Sequence, residues 1–97
     1  MMMISLEDCI AMCGLEEEEI AAICEHEHIG EVPAAALASY LLHQEHGAEK
    51  IRAMIIDDIR ESMSKGRPQH AAELLTVLRH FLQHHPEAGQ DLAEVAA

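Results

Sequence analysis

Glycine and proline cut this chain into pieces the length of single helices. The breaks fall at Gly14, at Gly30 with Pro33, at Gly47, at Gly66 with Pro68, and at Pro86. Between them, apolar residues recur at spacings of three and four, the period of a helix with one buried face, and no stretch alternates as a half-buried strand does. The clearest piece is "AEKIRAMIIDDIRESMSKG", with Ile51, Ile55, Ile59 and Ser62 or Met63 along one stripe. Lys65 and Gly66 then supply a basic last turn and a glycine stop.

The same reading places helices at roughly 6–13, 16–28, from Pro33 to just before Gly47, 48–65, and from Pro68 to just before Pro86. The first carries Leu6, Cys9, Ile10 and Cys13 on one stripe, and the second opens on Glu16 to Glu19, where the helix dipole favours negative charge. The third shows Leu37, Tyr40 and Leu41 on one face. The fifth carries Ala71, Leu74, Leu75, Leu78, Phe81 and Leu82. Composition agrees: aromatic residues are 2% of the chain, namely Tyr40 and Phe81, so the core is built from Leu, Ile, Val, Met and Ala, and strands draw on a different set. The expected fold is all-α, a small bundle of about five helices with a C-terminal antiparallel helical hairpin. Residues 1–86 form a single domain, and 87–97 form a frayed tail.

Charge limits the function. The 97 residues carry a formal charge of −12, and no Lys or Arg precedes Lys50. Nucleic-acid binding and anionic membrane surfaces both need cations to displace counterions, so neither is expected as a partner. A basic protein partner fits. Without a run of about 18 apolar residues or a basic leader pattern, no membrane span is expected, and a cytoplasmic location is. The stripes of the last two helices, widened by Ile56 and Val77, suggest a homodimer, although three short N-terminal helices would cover them equally well.

Metal chemistry is the competing reading. "ICEHEHIGEVP" lines up Glu25, His26, Glu27 and His28, and Glu25 with His28 forms Glu-x-x-His, which puts a carboxylate and an imidazole on one helix face. His43 and His46 are candidates to join them, with Zn, Ni or Fe as the ion, though an antiparallel third helix would carry that pair away from residue 28. His80 and His84 form another pair, on a strip with Glu73. The bland alternative is that seven of the eight histidines sit near helix C-termini, where a donor or cation meets exposed carbonyls. Glu27 falls on the apolar stripe with Ile20 and Ile23, so either the helix ends before it or a carboxylate turns inward.

Three cysteines without a Cys-x-x-Cys spacing read as free thiols, with Cys9 and Cys13 packed in the core. Asp57 and Asp58 diverge around their helix and read as solvated or edge groups. No phosphate loop or nucleophile elbow is present, so nothing argues for catalysis. The wording "ISLEDCIAMCGL", "EEEIAAICEHEHI", "AAALASYLLHQEHG", "IIDDIRE" and "HAAELLTVLRHFLQHHPE" resembles small all-helical proteobacterial proteins of uncharacterised function. That resemblance implies a bacterial cytoplasmic origin and no chemistry. The leading expectation is a non-enzymatic helical interaction module with an acidic N-terminal half.

Overall fold

A computed structural model describes residues 15–89, and these are all-helical, with no strand among them. Four α-helices follow in order: α1 (Glu17–Glu27), α2 (Glu31–Leu42), α3 (Gly47–Ser64) and α4 (Pro68–His84), closed by a 3₁₀ turn at Pro86–Gly89. The helix expected at 6–13, with Cys9 and Cys13, lies outside the described residues. No described helix is long and apolar enough to cross a membrane.

Each boundary has a local cause. The Glu16 N–H donates to Glu19 Oε1 at 2.8 Å, which satisfies a donor that the start of α1 would otherwise leave unpaired. At its other end His28 takes the left-handed conformation, φ 56°, and Ile29 N–H returns to the Cys24 carbonyl. Gly30, expected to stop this helix, instead precedes α2 with an ordinary φ of −72°. Pro33 sits in the first turn of α2, as expected, because the first turn needs no N–H from it. Pro68 opens α4, and Gly66, φ 71°, ends α3 as expected.

The core joins Ile20 and Ile23 of α1, Ala34, Ala35, Ala38 and Leu41 of α2, Ile51 and Ile55 of α3, and Leu74, Leu78 and Phe81 of α4. α3 and α4 make the most extensive helix contact, and α1 and α2 lie on α3. Coverage of the α3 stripe, including half-buried Ile56, therefore comes partly from the chain itself.

Two stripes are rotated from the expected ones. On α3 the buried positions are 47, 48, 51, 55, 58 and 62, so Ser62, one of the two expected alternatives, faces inward and Met63 is exposed, while Asp58 takes the place expected of half-buried Ile59. Steps of four drift forward by about 40° each on a 3.6-residue helix, whereas alternating steps of four and three stay on one line. On α2 the buried residues are three alanines and Leu41, which is on the expected face, while Tyr40 is 62% exposed. No charge interrupts Val32 to Gln44, so hydropathy there had no phase to read. Residues 87–89, assigned to a frayed tail, are docked: Ala88 is fully buried, and the Arg52 guanidinium donates to its carbonyl.

Gly47 closes the α2–α3 junction. A Cβ there would stand 1.4 Å from the Leu41 carbonyl oxygen, a backbone atom that no side-chain motion relieves. Gly47→Ala is expected to cost more than about 2 kcal/mol in denaturant unfolding. Gly66→Ala, in open space but left-handed, is expected to cost about 1 kcal/mol. Equal losses at the two positions would contradict this packing.

Candidate functional site

α1 runs antiparallel to α4. At one end Glu25 meets His70, with Nε2 2.8 and 2.9 Å from the two carboxylate oxygens. At the other, Glu16 approaches His84 at 4.0 Å. Between these pairs lies a groove of about 560 Å³. Its α1 wall is Glu18, Ala21, Ala22 and Glu25, and its α4 wall is His70, Glu73, Leu74, Val77 and His80, with Thr76 at the edge. Leu74 and Ala22 are buried, Val77 half-buried, and Glu18, Ala21 and Glu73 exposed. The floor is thus apolar and small, the rim carries three carboxylates, and no Lys or Arg is among the described lining residues.

His70 is the residue that sequence reasoning passed over, because it begins a helix instead of ending one. Its Nδ1 lies 3.4 Å from Glu73 Oε2, so the ring stands between carboxylates from two helices. Both nitrogens can donate at once only in the imidazolium form. The signal was present: Glu73 had been placed on a strip with His80 and His84, and His70 lies one turn before it.

The structure separates the expected metal ligands. Glu25 turns to His70. His26 reaches Asp57 of α3 at 3.4 Å and Glu27 at 3.7 Å. Glu27 is exposed as the last residue of α1, so the helix reaches it without drawing a carboxylate inward, and His28 is the exposed cap. His43 Nδ1 donates to the Ser39 carbonyl at 2.7 Å, and His46 pairs with Glu49 at 3.1 Å. His84 likewise donates to the His80 carbonyl at 2.9 Å. His46 begins α3 while Asp57, the neighbour of His26, lies eleven residues along it, roughly 16 Å away on a helical rise. Among the described residues, no three His, Cys, Asp or Glu side chains are grouped to hold a metal ion. Cys24 is a free, half-buried thiol, and burial pushes its pKa up.

Two carboxylates are buried, Glu19 of the acidic first turn of α1 and Asp58, which the sequence places in solvent or at an edge. Glu19 is 2% exposed, and burial raises its pKa. Asp58 is also 2% exposed, and neither oxygen has a hydrogen-bond partner among the described residues. Burial pushes its pKa from 3.8 to about 6; His26 opposes the shift, while Glu25, Glu61 and Asp57 add to it. The expected edge role of Asp58 is therefore corrected: the 3.6 period carries it into the core-facing stripe.

The chain matches no protein-family model, and no curated protein or solved structure matches it significantly. The described fold therefore defines a class only, an all-helical domain with an acidic, apolar-floored groove.

A raised pKa means the fold favours protonated Asp58. Its contribution is complete below 3.8 and is lost as pH rises through about 6, by at most about 3 kcal/mol. The stability of Asp58→Asn relative to the natural chain should thus grow between pH 4 and 7 in urea titrations. A flat difference would contradict the burial of the charge. His70→Ala should speed amide exchange along α1 more than along α3; uniform rates would show that the Glu25 contact does not hold α1.

Proposed function

We propose that this chain is a small, non-enzymatic helical module that works by protein contact and receives a basic partner at the α1/α4 groove. The groove itself is the observation that carries this: an apolar floor edged by Glu18, Glu25 and Glu73 on a chain of net charge −12. Apolar area gives such a contact its affinity, and the carboxylates give it orientation and partner choice. In this view α3 and α4 act as an antiparallel hairpin spine and α1 as the wall that completes the binding face.

Self-association as a homodimer is the second reading, favoured by a different surface. On the outer face of α2, Val32, Ala36 and Tyr40 are exposed at successive turns within an uncharged stretch. Two strongly acidic copies meet with least repulsion through an uncharged face. Light scattering at high micromolar concentration should give a dimer mass that Tyr40→Glu halves. A monomer throughout would remove this reading.

The partner reading has its own test. A photoreactive amino acid at Thr76, on the groove edge, should cross-link in cells to a basic protein, and Glu18→Lys with Glu73→Lys should abolish the adduct. The same probe at exposed Gln83 should not form it. Identical adducts from both positions, or none at Thr76, would contradict the groove as the contact site.

A further inference from the structure

We propose that the α1/α4 groove is the seat of one amphipathic helix of a partner, about three turns long, whose apolar stripe is flanked by lysine or arginine. This rests on the partner reading above and specifies the form of the partner.

The periodicity of the walls comes first. On α1 the lining residues are 18, 21, 22 and 25, and on α4 they are 70, 73, 74, 76, 77 and 80. Apart from Thr76 at the edge, both sets follow the three-and-four spacing by which a helix presents one face to a neighbouring helix. Two antiparallel helices offering such faces to one space form the groove into which a third helix packs. Ala21 and Ala22 on the floor let the incoming backbone come close, while Leu74 and Val77 supply the apolar contact.

Length and backbone chemistry then select a helix over an extended segment. The α4 wall covers eleven residues from His70 to His80, a rise of roughly 15 Å, which matches about ten residues of a docked helix. The backbone groups of both walls are paired within their own helices, so an extended peptide would find no ladder to join and would leave its N–H and C=O groups unpaired on an apolar floor. A helix arrives with its backbone already satisfied.

Charge selects the flanks. Glu18 stands at one corner of the groove, Glu25 and Glu73 near the other, and no Lys or Arg is among the described lining residues. His70 already lies against both Glu25 and Glu73, so an incoming cation competes with an imidazole for these carboxylates. A second copy of this acidic chain would bring the wrong sign.

The test uses the full chain and three synthetic peptides of equal charge: a Leu/Lys amphipathic helix, a scramble of it with no apolar face, and a version with two central prolines. Binding is read by calorimetry, and the contact surface by amide shift mapping. The amphipathic helix should bind with shifts confined to α1 and α4. Glu18→Gln with Glu73→Gln, both on exposed positions, should weaken it by about fivefold. Ala21→Trp, which fills the groove from an exposed position, should abolish it with the fold intact by circular dichroism. If the proline peptide binds the same surface as tightly, the helix proposal fails and the partner reading stands. If the scramble binds equally, only net charge is at work and the helix proposal fails. Shifts away from the groove, or no binding by any peptide, overturn both. Groove shifts that depend on protein concentration without peptide would make a second copy the occupant and overturn the proposal.

Discussion

The contact between Glu25 and His70 ties one end of α1 to α4, and the shape of the groove between the two helices depends on it. α1 shares with the core a stripe containing Ile20 and Ile23, both essentially buried, which fixes it against α2 and α3. Its side toward α4 is different in kind. There it offers alanines and carboxylates, and histidines of α4 meet those carboxylates at the ends. Apolar burial is non-directional and would pull two helices together along their length. Paired polar ends with small residues between them hold the helices in register while leaving the middle open.

Histidine is well suited to this role in a chain so poor in cations. Six Lys and Arg residues serve eighteen carboxylates, and the imidazoles supply many of the remaining donors. His26 joins α1 to Asp57 of α3, His70 and His84 join it to α4, and His85 stacks on buried Phe81 with ring centroids 4.7 Å apart. Asp58 works against the same neighbourhood: buried and without a hydrogen-bond partner among the described residues, it is a place where an ionised group would cost the core stability.

Much of the helical layout was legible because it rests on backbone chemistry that single residues announce. Pro68, Gly66 and the acidic start of α1 act locally, and the structure places them at the ends they signal. Phase was harder. Ile59 reads as a stripe residue because it is apolar, yet geometry turns Asp58 inward instead, and of the two candidates Ser62 and Met63 it is the polar one that is buried. Tyr40 looked like core in a stretch where every side was apolar. The site was legible only in part, since the sequence named Glu25 and gave it local partners at 26 to 28. The partner it takes is 45 residues away, on a helix whose placement no local pattern encodes.

The most direct measurement is a carbon-edited NOE spectrum of the unliganded protein, read at the ring protons of His70. Cross-peaks to the side-chain methylenes of both Glu25 and Glu73 are predicted, because the imidazole stands between α1 and α4. Cross-peaks to Glu73 alone would mean that α1 is not held at this end, and the groove would lose the wall that defines it.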